Sequence, residues 1–266
     1  MNSKLKYSEA GKFEETRFEK IHNAVFENSD IASVAVAMEI AELIRSKQAE
    51  NKPCVLGLAT GSSPIKVYEE LVRMHEEEGL SFKNVITFNL DEYYPMKRQN
   101  TQSYWYFMHE HLFNHVDILP ENINVPSGTV KPEEIHQFCI DYELKIKEAG
   151  GLDFQLLGIG RTGHIGFNEP GSHFNSGTRN ITLDHITRID AAPGFLGIDH
   201  VPRVAITMGI STIRKAKRIV LLAWGVNKAS VIKQTIEGEV TSEVPATYLQ
   251  HHDNVTFVLD EGASAD

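Results

Sequence analysis

The chain is poor in cysteine, in clustered positive charge and in long apolar runs, and each scarcity excludes a class of protein. Only two cysteines occur among 266 residues, Cys54 and Cys139, so neither a disulfide framework nor a CxxC metal site is available. Asp and Glu outnumber Lys and Arg by 36 to 26, and the formal net charge of −10 argues against nucleic-acid binding. No apolar run approaches the ~20 residues that span a bilayer, and the N-terminus lacks a signal-peptide core. We therefore expect a cytoplasmic protein with neither a membrane nor a nucleic-acid partner.

Short apolar segments alternate with helical patterns along most of the chain. Hydrophobic residues make up 41% and charged residues 23% of the sequence, as in globular domains. The alternation predicts an α/β fold, with a Rossmann-like, doubly wound, mostly parallel sheet and helices on both faces. Residues 1–20 mix Lys, Glu and Gly without periodicity, so we interpret them as an N-terminal extension of a single α/β domain over 21–266.

The strongest motif is an apolar run that ends in glycines and then presents a histidine and a carboxylate. Residues 154–157 have the length and character of a buried strand, and glycines follow at 158, 160 and 163. His164 therefore lies just beyond the carboxyl end of a predicted central strand, where open α/β sheets bind ligands. A histidine there either acts on a ligand or is a hydrogen-bonded part of the scaffold.

A second glycine turn, Thr60-Gly61-Ser62-Ser63-Pro64, joins a predicted strand over 54–59 to a predicted helix. Ser63 is placed to cap that helix, and Pro64 suits its first position. The free N–H groups of such a turn attract anions, and the small hydroxyl side chains add donors, so the turn predicts a phosphate site. Lys228 opens a helix after another predicted strand and can supply positive charge. The alternatives are an ordinary capped helix and a surface lysine.

Two acidic residues, Asp91 and Glu92, stand at the carboxyl end of a predicted strand over 85–90. Burying an acidic side chain at that position costs folding free energy, unless the side chain is solvated or takes part in binding or catalysis. Adjacent side chains of an extended chain point to opposite faces, so only one of the two can point into a cleft. We favour Asp91 for that position and expect Glu92 to pair with a nearby cation.

A predicted helix over 101–115 carries His111 and His115 four residues apart, which is metal-ligand spacing. The HExxH arrangement and an obvious third ligand are both missing from this segment. We therefore favour surface or interface histidines and predict no metal. The polar stretch over 171–179 is too long for a tight connection and suits a lid or effector loop.

Taken together, four separated motifs resemble the glucosamine-6-phosphate deaminases. They are Ala59-Thr60-Gly61-Ser62-Ser63-Pro64, Leu90-Asp91-Glu92-Tyr93, the stretch from Gly158 through Pro170, and Gly225 with Lys228-Ala229. The resemblance extends from about residue 21 to residue 261. Related sugar-phosphate lactonases share the phosphate turn and the glycine-histidine loop, but they typically carry Asp-Glu-Arg and a Ser-Leu-Phe-Pro-type ending at the other motifs. That contrast favours the deaminase.

The resemblance implies conversion of glucosamine 6-phosphate and water to fructose 6-phosphate and ammonia, without metal or organic cofactor. This is an isomerisation combined with hydrolytic deamination, in N-acetylglucosamine and amino-sugar catabolism. The resemblance assigns the substrate phosphate to Thr60-Gly61-Ser62-Ser63 and Lys228. It makes His164, oriented by Glu169, the acid that opens the sugar ring, and Asp91 the base that moves a proton from C2 to C1. The implied partner is a small-molecule sugar phosphate.

The chain departs from the family pattern close to this site. Thr162 stands where members usually carry an acid, and it cannot stabilise an imidazolium by charge. Ala192-Pro193-Gly194 stands where many members place an arginine over the phosphate, so Lys228 acts alone or a nearby arginine such as Arg188 takes over. Two alternatives stay open: a catalytically weakened sugar-phosphate-binding or regulatory domain, and a 6-phosphogluconolactonase-like hydrolase.

An effector loop known in some members is only partly matched. Ser172 and Arg179 match it, whereas Ile181 replaces its lysine, so we expect no activation by N-acetylglucosamine 6-phosphate. Members are often hexamers and sometimes monomers, which predicts a homo-oligomer, hexamer or lower. The family continues into another helix beyond Asp266, so we expect a domain without its last helix, as in a fragment of a longer fusion.

Overall fold

Strands and helices alternate through residues 18–265, which a computed structural model of the chain describes. The strands are β1 (His22–Phe26), β2 (Cys54–Leu58), β3 (Val85–Asn89), β4 (Asp91–Tyr94), β5 (Ile123–Asn124), β6 (Phe154–Gly158), β7 (Arg179–Thr182), β8 (Val204–Thr207), β9 (Ile219–Ala223) and β10 (Val255–Asp260). The helices are α1 (Ser29–Ala49), α2 (Ile65–Glu78), α3 (Tyr104–His111), α4 (Ile135–Glu148), α5 (His185–Ala191), α6 (Ile210–Arg214) and α7 (Ala229–Glu237).

Seven strands form one parallel sheet in the order β1-β10-β9-β6-β2-β3-β5. Its middle strand, β6, is buried on both faces: Leu156 packs into the core beneath α1 and α2, and Leu157 into the core beneath α4 and α7. Both faces of the strand are thus covered, and its one polar side chain, Gln155, is buried as well. The sheet with helices on both sides confirms the predicted α/β, doubly wound fold.

A second, three-stranded sheet in the order β4-β8-β7 is antiparallel. The sequence pattern does not predict it, because Asp-Glu-Tyr-Tyr lacks the apolar alternation of a strand. Asp91–Tyr94 becomes a strand through its pairing with Val204–Thr207, in a register that sets Asp91 opposite Thr207. The backbone of the candidate base is thereby fixed between two sheets.

The predicted helix over 101–115 is shorter than expected. It ends at His111, because Leu112 and Phe113 turn into the core and a 3₁₀ turn over Phe113–His115 follows. The His111 ring packs against Phe107, and Nε2 of His115 lies 2.7 Å from the Glu110 carbonyl oxygen. The two histidines therefore do not share one helix face, and the spacing that suggested a metal pair has no structural counterpart.

The predicted N-terminal extension falls mostly outside the described residues, which begin at Phe18. At their start the Lys20 amide donates to the carbonyl oxygen of Ile236, 2.9 Å away on α7. The boundary near residue 20 and the missing last helix stay predictions. Within residues 18–265, every helix is too short or too polar to cross a membrane.

Candidate active site

The turn Thr60-Gly61-Ser62-Ser63-Pro64, here called the phosphate turn, leaves the carboxyl end of β2 and enters α2. Gly61 has a φ of 95°, a left-handed conformation that favours glycine. Within residues 18–265, the amides of Gly61, Ser62 and Ser63 donate to no protein acceptor. The turn therefore presents unpaired donors at the beginning of a helix, where an anion is stabilised.

Two aromatic side chains hold the phosphate turn and the residue before it by hydrogen bonds to the backbone. The indole Nε1 of Trp224 donates to the Ser63 carbonyl oxygen at 3.0 Å, and the Tyr68 hydroxyl donates to the Ala59 carbonyl oxygen. The expectation that Ser63 caps α2 is wrong: the helix begins at Ile65 without a side-chain cap bond. The Ser63 hydroxyl is consequently available to a ligand.

Asp91 is the first residue of β4, two residues after the end of β3, and is almost completely buried, with 4% of its surface exposed. Burial raises the pKa of its carboxyl well above the usual range, and the neighbouring charge of Glu92 adds to the rise, against an opposing hydrogen bond from the Phe167 amide. Gly166, with a φ of 55°, passes so close that a Cβ there would lie 3.2 Å from Oδ2 of Asp91. A buried carboxyl with raised proton affinity suits a general base.

Glu92 points to the opposite face, as the strand alternation predicts. The prediction that it pairs with a nearby cation is wrong. Its Oε1 accepts from the amides of Tyr93 and Tyr104 at 2.9 and 3.0 Å, and its Oε2 from the amide of Trp105 at 3.1 Å. Glu92 thus caps the N-terminus of α3, because unpaired helical N–H groups satisfy a carboxylate as a cation would. Burial nevertheless raises its pKa to about 7.

His164 lies beyond the carboxyl end of β6, against the backbone of Gly160. A Cβ at Gly160 would overlap the imidazole ring, so this position requires glycine. The ring nitrogen Nδ1 of His164 is 3.0 Å from Oγ1 of Thr162 and 3.4 Å from Oε2 of Glu169. The Thr162 oxygen is within hydrogen-bond distance of this nitrogen and the Glu169 oxygen is at ion-pair distance, which leaves Nε2 for the cavity described below.

Glu169 is the acidic partner behind the histidine. Burial alone would raise its pKa, but His164, Thr187 and the Asp184 amide together outweigh that effect and bring the pKa below its usual value. Its other oxygen, Oε1, accepts from the Asp184 amide at 3.1 Å. The carboxylate is thus ionised and fixed, as a group that orients a histidine should be.

Lys228 ends a 3₁₀ turn after β9 and crosses to the loop after β6. Its Nζ donates to the Ile159 carbonyl oxygen at 2.7 Å. Burial lowers the pKa of Lys228, Asp190 opposes that effect, and Arg161 adds to it. A half-desolvated ammonium held by a neutral carbonyl keeps donors for an anion.

These side chains converge on one cavity of about 230 Å³ at the carboxyl ends of the parallel strands. Seven predicted residues line it: Thr60, Gly61, Ser62, Ser63, Asp91, His164 and Lys228. Thr162 and Glu169 lie behind the histidine. The cavity therefore joins an end with unpaired backbone donors and the Lys228 ammonium to an end with the Asp91 carboxyl and the His164 imidazole, in the place where open α/β sheets bind ligands.

Comparison with known proteins assigns the chain to a family. Residues 27–258 match the model described as glucosamine-6-phosphate isomerases/6-phosphogluconolactonase. The chain belongs to this family. It is 48% identical over 225 residues to a glucosamine-6-phosphate deaminase of Clostridium botulinum, which covers 85% of this chain and 90% of that one. A solved structure of a monomeric glucosamine-6-phosphate deaminase has 40% identity and a TM-score of 0.86, over 90% of this chain and 97% of that chain.

Another relative is much longer than this chain. A glucosamine-6-phosphate deaminase-like protein of Bacteroides thetaiotaomicron is 48% identical over 249 residues, which are 94% of this chain and 38% of that protein. The chain thus spans well under half of that relative. The resemblance to the family that the four motifs carry is confirmed by all three comparisons.

The residues assigned to the effector loop come together outside the cavity. Nη2 of Arg179 donates to Oγ of Ser172 at 3.0 Å, and its Nη1 donates to Oδ1 of Asn168 at 2.9 Å. Burial lowers the pKa of Arg179. The loop therefore holds its arginine by neutral partners, and a role in effector binding stays a prediction.

Of the two alternatives for the phosphate charge, Lys228 alone or a nearby arginine such as Arg188, the position of Arg188 does not favour the second. Its Nη2 donates to the carbonyl oxygens of Ile198 and Val201 at 2.8 and 3.3 Å, and the side chain stays out of the cavity lining. Tyr104, in contrast, lines the cavity although none of the sequence motifs includes it. The available signal was its place directly after the Ser103 cap, which opens α3 beside Glu92.

Proposed function

We propose that the chain converts glucosamine 6-phosphate and water to fructose 6-phosphate and ammonia. The supporting observation is that Asp91 and His164 line the same cavity as the phosphate turn and Lys228. A sugar phosphate anchored at the cationic end places its ring at the acid-base end, and such positioning makes the later steps effectively unimolecular. The names of the relatives point to the same reaction.

In the first step, His164 gives a proton to the ring oxygen and the pyranose opens. An imidazole is the side chain most often used as a general acid, and the Glu169 carboxylate, 3.4 Å from Nδ1, stabilises the charged form of the ring. Thr162 holds the same nitrogen with a hydroxyl, which contributes orientation without charge.

In the second step, the Asp91 carboxylate removes the proton from C2 of the open aminoaldose. The resulting enolamine takes that proton back at C1 and becomes a ketose imine. Water then adds to C2 of the imine, and ammonia leaves. Burial of Asp91 raises its proton affinity, so the carboxyl can hold the proton between the two carbons. The reaction is thus an isomerisation completed by hydrolysis of an imine.

The test is ammonia release from glucosamine 6-phosphate by the wild type, Asp91→Asn and Thr162→Asp. Asp141→Asn, at an exposed residue on α4, is the matched control for removing a carboxylate. We expect turnover to vanish in Asp91→Asn, to persist in the control and to rise in Thr162→Asp, because a second carboxylate stabilises the imidazolium. Full turnover in Asp91→Asn would contradict the assignment of the base.

One observation favours a second candidate, a sugar-phosphate-binding domain with weakened catalysis. The neutral Thr162 oxygen is closer to Nδ1 of His164 than the Glu169 carboxylate is, at 3.0 against 3.4 Å. Ligand binding without ammonia release in the wild type, with turnover appearing in Thr162→Asp, would select this candidate. If neither the wild type nor any variant releases ammonia, the next assay is hydrolysis of a sugar-phosphate lactone, which tests the lactonase-like alternative.

The oligomeric state is a separate part of the proposal. The resemblance predicts a homo-oligomer, hexamer or lower, although one solved relative is described as monomeric. Size-exclusion chromatography with light scattering measures the mass of the assembled particle directly. A monomer in solution would contradict the prediction without affecting the proposed chemistry.

A further inference from the structure

An arginine with no role in the proposed function stands beside the cavity. Arg161 directly follows Gly160, which lines the cavity, and it precedes Thr162. Its guanidinium binds the Asp190 carboxylate through two parallel hydrogen bonds, from Nε to Oδ2 at 2.9 Å and from Nη2 to Oδ1 at 2.6 Å. Asp190 lies on α5, so the pair connects the histidine loop to a helix beyond it.

This ion pair is exposed but well formed. The Arg161 and Asp190 side chains retain 51% and 43% of their exposure, and even a bidentate pair this exposed contributes at most about 1 kcal/mol to folding. The nearby Arg188, in contrast, donates to two carbonyl oxygens of the segment that follows its helix. Arg161 is next in the chain to a residue that lines the cavity, so the pair is also placed to take part in ligand binding.

Lys228 connects the pair to the phosphate end of the cavity. Arg161 and Asp190 both lie near enough to Lys228 for their charges to act on its ammonium, in opposite directions. Lys228 in turn lines the cavity with the phosphate turn. Three charged groups thus form one cluster at this end, with two positive charges and one negative charge.

The geometry of the pair matches what a phosphate needs. A phosphate monoester carries up to two negative charges, and one lysine with neutral N–H groups neutralises only part of them. Arginine offers a planar fork of donors that fits a phosphate as it fits a carboxylate. The Asp190 carboxylate occupies that fork, so it competes for the donors that a phosphate would use.

We propose that Arg161 is the second cation of the phosphate site, and that Asp190 holds its guanidinium ready until the substrate phosphate replaces the carboxylate. The proposal rests on the proposed function only in taking the ligand to be a sugar phosphate. It assigns the charge of the phosphate site to the loop that also carries His164. Binding of the phosphate would then release α5 from that loop.

The test measures the affinity for inorganic phosphate by calorimetry, and for glucosamine 6-phosphate as KM. The variants are Arg161→Gln, Arg161→Lys and Asp190→Asn, and the control is Arg73→Gln, at a surface arginine paired with glutamates on α2. We expect phosphate to bind about 10-fold to 100-fold more weakly to Arg161→Gln, with partial recovery in Arg161→Lys. We expect about 2-fold to 5-fold tighter binding to Asp190→Asn, since the competing carboxylate is removed.

The two variants are expected to change phosphate affinity in opposite directions. A purely structural ion pair would not produce that difference between Arg161→Gln and Asp190→Asn. An equal loss of phosphate affinity in Arg161→Gln and Asp190→Asn would overturn the proposal. The pair would then serve only to attach α5 to the histidine loop. Unchanged binding in Arg161→Gln, or no phosphate binding by the wild type, would also overturn it. Absent ammonia release together with the expected binding pattern would contradict only the proposed reaction. Normal ammonia release with Arg161-independent binding would contradict only this inference.

Discussion

Replacing Glu92 with glutamine tests whether the carboxylate that caps α3 also sets the proton affinity of Asp91. After burial, the charge of Glu92 is the largest cause of the raised pKa of Asp91. Adjacent strand residues point to opposite faces, and we take roughly 8 Å as the separation of two carboxylates in that arrangement. Two unit charges at that distance interact by about 2 kcal/mol at an effective dielectric constant of about 20, equivalent to about 1.5 pH units.

We expect Glu92→Gln to move the acidic limb of the kcat/KM profile for glucosamine 6-phosphate to lower pH, by about 0.5 to 1.5 pH units. The base must be ionised to act, and without the adjacent negative charge Asp91 loses its proton at lower pH. Because burial raises the pKa of Glu92 itself to about 7, the profile must extend to both sides of that pH.

The control is Glu69→Gln, which removes an exposed carboxylate of α2 that pairs with Lys66 at 3.2 Å. Its acidic limb should coincide with that of the wild type. An acidic limb that stays in place in Glu92→Gln, or that moves to higher pH, would refute the electrostatic coupling. It would also leave burial as the cause of the raised pKa of Asp91.

The same substitution has an independent effect on stability. The two oxygens of Glu92 accept three backbone amides, and one of them, from Trp105, uses Oε2 alone. A glutamine side chain has one oxygen, so one amide is left facing an NH₂ group, at a cost of about 1–3 kcal/mol. Thermal unfolding above the pKa of Glu92 should show a Tm lower by about 2–10 °C. An unchanged Tm would mean that the cap does not hold α3.

Three further substitutions separate the parts of the site. Gly160→Ala should lower kcat by at least about 100-fold, because the new Cβ displaces the imidazole of His164; Gly158→Ala, where a Cβ has ordinary contacts, should be far milder. In the wild type, KM should rise with pH as Lys228 loses its proton at a pKa lowered by burial, and Lys228→Arg should delay that rise to higher pH. Glu169→Gln should lower kcat by about 10-fold to 100-fold. Because the pKa of Glu169 is lowered, its stabilisation is present at neutral pH and lost on acidification, so acid should destabilise Glu169→Gln less than the wild type, as measured by thermal unfolding.

Features that depend on neighbouring residues were predictable from the sequence. The apolar run before Gly158 specifies a buried strand, because its side chains have to be covered on both faces. The glycine turn after β2 and the histidine after β6 follow from where glycines interrupt such strands. Parallel strands end at the same edge of a sheet, so these turns and Asp91 could be expected to meet before any contact was known.

Features that depend on distant partners were not predictable. Strand β4 forms because its backbone pairs with the antiparallel strand Val204–Thr207, since its own sequence has no strand pattern. The end of α3 at His111 depends on where Leu112 and Phe113 find the core. In both cases, local preference is weak and packing decides.

The sequence by itself determined the chemistry of this protein: which turns are open to an anion, which acid and which histidine end a strand, and that the net charge is negative. Only the tertiary structure decided how each group is used. It gave Glu92 three amides instead of a cation, and it placed Arg161 on Asp190 beside Lys228. The physical reason is that a side chain's type is a local property, whereas its partner, its burial and its pKa depend on segments far away in the chain.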